Sequence, residues 1–117
     1  MNYKKWSIFF LILFLSAVLI MGTLTAVIDP FFHYHKPLPF LQYEIDYERY
    51  QNDGIVKHFD YDTLITGNSM SENFKASECD ALFGAETVKA AFSGASPREL
   101  DMNNRAAVKA NPSLKRI

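Results

Sequence analysis

The sequence has one cysteine, Cys79, one tryptophan, Trp6, and no charged residue at all between Trp6 and Ile28. A single cysteine excludes an internal disulfide. It reads as a small, half-buried helix residue, with a bond between chains as the other possibility. Neither sign of charge dominates, since 12 Lys and Arg stand against 13 Asp and Glu. A basic stripe for a phosphate backbone to follow is missing, and nucleic acid is not expected as a partner. Histidine is scarce too. His33 and His35 form a His-x-His pair, but no third His and no Cys lies close in sequence. Two ligands do not make a metal site, so neither a metal nor another cofactor is expected.

What the chain does have is one long apolar run. The 23 residues from Trp6 to Ile28 would span roughly 34 Å as a helix, enough to cross the hydrocarbon core of a bilayer. A signal peptide has a shorter apolar region and ends at a small-x-small site. Thr23-Leu24-Thr25 is a poor version of one, so an uncleaved signal-anchor in contact with membrane lipid is expected. Lys4 and Lys5 precede the run, and positive flanks stay inside. Residues 1–5 then form a cytoplasmic tail, 6–28 the span, and 29–117 lie on the outer side of the cell membrane. That outer part holds every acidic residue and all basic residues except Lys4 and Lys5, which gives it a net charge of −3.

Residues 29–59 read as a juxtamembrane segment. Prolines at 30, 37 and 39 forbid a regular helix at its start. Phe31, Phe32, Tyr34, Phe40 and Tyr43 are the amphipathic rings that favour a headgroup layer. The stretch from Ile45 to Phe59 reads as polar and irregular, with a turn at Asn52-Asp53-Gly54.

A regular pattern occupies residues 60–117. Thr63 to Thr66 is a β-branched run that reads as a buried strand ending at Gly67. Asn68 to Phe74 reads as a polar turn entering a helix. A second helical stretch opens at Ser77, with Asp80 as an acidic capping partner, and stops at Gly84. Thr87 to Phe92 reads as a second strand. Ser96-Pro97-Arg98-Glu99 is a capping box with proline at the first helical position, and the helix it opens stops at Asn111-Pro112. Leu114 to Ile117 looks like the start of a third strand. The alternation predicts an α/β fold with a parallel sheet. Two strands and the start of a third are few for such a sheet, and the chain reads as the N-terminal part of a longer protein.

In open α/β sheets ligands bind beyond the carboxyl ends of the strands. Two turns fall there, Gly67-Asn68-Ser69 and Ser93-Gly94-Ala95. A serine at a strand-to-helix turn projects its hydroxyl from the sheet edge, and free backbone N–H groups beside it can hold an oxyanion. Glycine in the next loop lets a substrate approach the main chain. Serine is also a favoured helix N-cap, which leaves two readings of Ser69, with Ser71 the other candidate for the cap. Gly94 is a turn glycine on either reading.

At these residues the chain resembles the SGNH (GDSL-type) hydrolases. Leu64-Ile65-Thr66-Gly67-Asn68-Ser69 matches the family's first block, and Gly94 the oxyanion-hole glycine of its second. In layout the chain is similar to membrane-anchored SGNH-like proteins of bacterial envelopes, including those that help D-alanylate teichoic acids. Asp29 to Tyr34, Arg49 to Gly54 and Tyr61 to Met70 carry that likeness. The resemblance implies a flavodoxin-like SGNH domain with Ser69 as nucleophile in the turn Gly67-Asn68. The N–H groups of Ser69 and Gly94 would form the oxyanion hole. It implies a serine esterase or O-acyltransferase acting on acyl esters of a cell-surface polymer, with that polymer or envelope-assembly proteins as partners. A non-catalytic binding or assembly module of the same fold is the alternative. Asn68 replaces the usual aspartate, and the family's third-block asparagine and late Asp-x-x-His have no counterpart before Ile117. His33, His35 and His58 all precede the first strand and are assigned no catalytic role.

Overall fold

The computed structural model describes residues 2–117. It opens with helix α1, Tyr3–Ile28, whose side chains are all exposed. At about 1.5 Å per residue its 26 residues extend roughly 39 Å. The helix is long and apolar enough to cross a membrane. Its serine and threonine side chains are satisfied internally. The hydroxyls of Ser7, Ser16, Thr23 and Thr25 each donate to the carbonyl four residues earlier, at 2.7–3.0 Å. No hydroxyl among these is left for hydrocarbon to solvate.

Asp29 ends α1 in the left-handed region (φ 45°), and its N–H donates to Thr25 O at 2.9 Å. The residue is only 3% exposed, and its carboxylate accepts the N–H groups of His33, Tyr34 and His35 at 2.9, 2.7 and 3.1 Å. Burial alone would raise its pKa. The bonds from Tyr34, His35 and His33 outweigh that and hold it below the usual carboxylate value. The prolines do keep residues 30–47 free of helix. Phe32, however, is not an interfacial ring. It is 1% exposed and packs on Tyr43 and Phe59 at centroid separations of 5.2 and 5.1 Å.

The stretch read as irregular from Ile45 to Phe59 is mostly a helix, α2, Glu48–His58, and Asn52-Asp53-Gly54 is no turn. The sequence signal failed because the inner face of α2 is largely polar, with Gln51, Asn52 and Gly54 buried beside Ile55 and Val56. Main-chain partners compensate. Gln51 Nε2 donates to the carbonyls of Pro30 and Glu44 (3.1 and 2.9 Å), and Gln51 Oε1 accepts from Tyr47 N at 3.2 Å. Gly54 sits where the helix crosses the Phe31-Phe32 main chain. A Cβ there would collide with both carbonyl oxygens.

Strand β1, Thr63–Ile65, pairs in parallel with β2, Thr87–Lys89, in the register Thr63 with Thr87. The ladder continues past β2 as Ala90 N donates to Ile65 O (2.8 Å) and Phe92 N to Gly67 O (3.3 Å). Leu64 N donates to Arg116 O at 3.0 Å while Thr63 N donates to Glu86 O at 3.1 Å. Successive N–H groups on a strand point to opposite edges. The terminal segment therefore bridges β1 in parallel on the side away from β2. Helix α3, Ala76–Phe83, packs against β2, and α4, Pro97–Ala110, packs on α2. Val56, Tyr61, Leu64, Ala90 and Ala107 form the core between these elements.

The chain is thus a mixed α/β structure with a two-stranded parallel sheet and a long apolar N-terminal helix.

Candidate functional site

The two strands end side by side, and the turns that follow are neighbours. The bond from Phe92 N to Gly67 O ties the start of one to the start of the other. Gly67 adopts φ 149°, and a Cβ there would strike the Ser71 side chain. Only glycine therefore lets the chain turn so sharply out of β1. Asn68 then closes a local turn. Its carboxamide oxygen accepts Met70 N at 3.1 Å, and its main-chain oxygen accepts Ser71 N at 2.9 Å. Asparagine suits this role, since its side chain mimics a backbone acceptor.

Ser69 stands exposed at the tip of this turn. No hydrogen bond involves its hydroxyl or its N–H among the described residues. It is not a helix N-cap. The helix expected directly behind it is one 3-10 turn, Ser71–Asn73, preceded by Met70. Helix α3 begins only at Ala76, with Lys75 before it and no side-chain cap. Lys89 accounts for the break, because its ammonium takes the carbonyls of Glu72 (2.7 Å) and Phe74 (3.5 Å). The Glu72 oxygen is the one a continuous helix would offer to residue 76. Ser77 consequently lies inside α3 rather than before it. Asp80 accepts Thr87 N at 2.7 Å and holds β2 instead of capping. Gly84 does stop α3 in the left-handed region at φ 58°. A three-residue 3-10 helix carries little dipole, so an oxyanion at Ser69 would rely on individual N–H groups.

The second turn is better supported. Gly94 has φ 72°, and its N–H has no partner among the described residues. Ser96 and Glu99 form the full capping box of α4: Glu99 N donates to Ser96 Oγ (3.3 Å), and Ser96 N donates to Glu99 Oε2 (2.9 Å). The Ser96 main-chain and hydroxyl bonds, with the Arg49 charge beside them, hold the Glu99 carboxyl below its ordinary pKa. Arg49 of α2 reaches across to the same turn. It pairs with Glu99 at 3.1 Å, donates to Gly94 O at 3.4 Å and lies 5.1 Å above the Phe92 ring. Asn52, one turn further along α2, donates to Ala91 O at 3.4 Å. The sequence reading placed Arg49 and Asn52 in an irregular stretch and gave neither a part in the site. Their signal was their place on a helix, which the polar inner face of α2 hid.

No side chain is hydrogen-bonded to the Ser69 hydroxyl among the described residues, and His35 and His58 are engaged elsewhere. His58 Nε2 donates to His33 O at 3.2 Å, and the residue lines a cleft with Asp60, Asp62 and Glu86, which precede the strands. That cleft lies at the strand-entry end, opposite the two turns. His35 is engaged by the carbonyls of Lys36 and Val27. No group of His, Cys, Asp or Glu suited to a metal occurs among the described residues. Comparison with protein-family models, with curated proteins and with solved structures finds no match to this chain.

Proposed function

We propose that this chain is the anchored, nucleophile-bearing part of an SGNH-like serine esterase or O-acyltransferase of a bacterial envelope, acting on acyl esters of a cell-surface polymer. Helix α1 anchors it with the N-terminus cytoplasmic, and the α/β part faces the envelope. Ser69 is the nucleophile, and its own N–H and that of Gly94 form the oxyanion hole. The observation that carries this reading is the pairing of two turns at the carboxyl ends of adjacent parallel strands, each with an N–H free of intramolecular partners. Such donors stabilise charge that develops only in the transition state. A strand order with β1 between β2 and the terminal segment is also how a flavodoxin-like sheet begins.

A serine hydroxyl needs a base within hydrogen-bond reach, and none of the three histidines is near Ser69. That observation favours a second reading, a binding or assembly module of the same fold, positioned at the membrane by α1. A fluorophosphonate probe applied to the native membrane-extracted protein separates the two. On the enzyme reading one serine is labelled and Ser69→Ala abolishes the label. The variant should fold normally, because the hydroxyl bonds nothing. Labelling unchanged by Ser69→Ala defeats the nucleophile assignment, and no labelling at all leaves the binding module.

A further inference from the structure

A groove of about 370 Å³ opens where α1 meets the rest of the chain, lined by Ile28, Pro30, Phe31, Leu41, Tyr43, Glu44 and Tyr47 among others. We infer that it is a docking site for one bilayer lipid whose headgroup carries an ammonium.

Its place argues for a lipid. Ile28 is the last residue of the apolar helix, so the wall of the groove is continuous with the surface of α1 and opens at the depth where acyl chains give way to headgroups. Tyr47 of the lining is 63% exposed, and Phe40 and Ile45, which flank the lining residues 41–44 in sequence, are 77% and 49% exposed. Apolar and aromatic side chains left outside at a membrane boundary gain by contact with the glycerol and headgroup region.

Charge selects among lipids. Glu44 is the one ionisable carboxylate lining the groove, it is exposed, and it belongs to no ion pair among the described residues. No Lys or Arg lines the groove. A phosphoglycerol headgroup would meet a carboxylate and no compensating cation. An ethanolamine or choline headgroup brings the ammonium that Glu44 lacks. Phe31 and Tyr47 stand edge to face at 6.2 Å and 84°, two walls at right angles of the kind that accept an ammonium against their faces. The Glu44 side chain makes no hydrogen bond or ion pair among the described residues, and Tyr47 uses its ring only against Phe31. The contact that ties this loop to α2 is made by the Glu44 main-chain oxygen with Gln51.

The inference rests on the membrane placement of α1 and not on the chemistry of Ser69. The chain is reconstituted in nanodiscs of equal phosphatidylethanolamine and phosphatidylglycerol, released into mild detergent, and weighed by native mass spectrometry. One phosphatidylethanolamine should be retained per chain, several-fold over phosphatidylglycerol. Glu44→Gln should remove the preference, Glu44→Lys should invert it, and Tyr47→Ala should lower retention of both, each with an unchanged far-ultraviolet spectrum. Equal retention of the two lipids, or a preference indifferent to Glu44, overturns the proposal. A lipid-free dimer would show a second copy in the groove and overturns it as well. A chain that never enters nanodiscs instead defeats the membrane placement itself.

Discussion

Asp62 shows how much one side chain can organise where the strands begin. It precedes β1, and its carboxylate accepts from Lys115 Nζ (3.0 Å), Glu86 N (3.0 Å) and the Thr63 hydroxyl (3.0 Å). It thereby joins the entries of all three segments of the sheet. The Lys115 bond, then those from Glu86 and Thr63, lower its pKa from 3.8 to about 2. Because the folded value is depressed, the stabilisation is complete above the ordinary carboxylate pKa and is lost as pH falls through about 2. In an acid titration followed by near-ultraviolet circular dichroism, the wild type should lose structure within that window. Asp62→Asn should be less stable at neutral pH and should show a weaker acid dependence there. A variant with the wild-type acid profile would mean the three bonds do not act on the folded state. Nothing in the sequence marked Asp62 as a hub, because two of its three partners lie 24 and 53 residues away. The turns that carry Ser69 and Gly94, by contrast, were legible from the strand that precedes each of them and from glycine's own conformational freedom.

Among the elements, legibility followed the kind of signal each one carries. Helix α1 announced itself by length, α4 by its capping box, and the two strands by β-branched runs, since each of these is written within a few residues. Helix α2 was not legible, because its stability comes from side chain to main chain bonds across long sequence separations rather than from an apolar stripe. The helix behind Ser69 was expected from local propensity, and a tertiary contact from Lys89 overrode it. Glycine separates these cases experimentally. Gly54→Ala should gain up to about 1 kcal/mol in helix propensity, yet it would drive a Cβ into two immobile carbonyls. Overpacking of that kind costs about 1–3 kcal/mol or more, so thermal unfolding should shift downward by several degrees. Gly84→Ala meets open space but keeps φ 58°, so its cost is limited to about 1–2 kcal/mol of left-handed strain. If Gly54→Ala raises the midpoint, α2 does not cross the Phe31-Phe32 main chain as described.

At the scale of the molecule, a long exposed helix is joined to a small α/β body through a few groups, and one of them is a histidine. His35 Nδ1 lies 2.6 Å from Lys36 O and Nε2 lies 3.0 Å from Val27 O. Carbonyl oxygens only accept, so both nitrogens can be satisfied together only in the imidazolium. Val27 is in the last turn of α1, where a cation is also favoured by the helix dipole. The other groups at the joint are the Asp29 carboxylate, which also favours the cation, and the Tyr43 hydroxyl, which donates to Ile28 O at 2.7 Å. The Lys36 ammonium is held away from it by Asp60. The Lys36 carbonyl bond leads the causes that raise the pKa of His35 above 6.5, and together with the Ala26 and Val27 carbonyls and the Asp29 charge it outweighs the opposing effect of burial. A raised folded value means the stabilisation is whole below 6.5 and disappears as pH rises through the folded pKa. Above that, the neutral ring keeps one bond, and the joint rests on Tyr43 and on Asp29, whose bonds to His33, Tyr34 and His35 do not titrate in this range. Spin labels on Leu24 and Lys57 should therefore give a narrow distance distribution at pH 6 and a broader one at pH 8.5. His35→Gln, which can donate only through its single amide nitrogen, should be broad at both. A distribution equally narrow at both values in the wild type would mean that Tyr43 and Asp29 alone hold the body to the helix, and that His35 is not needed at the joint.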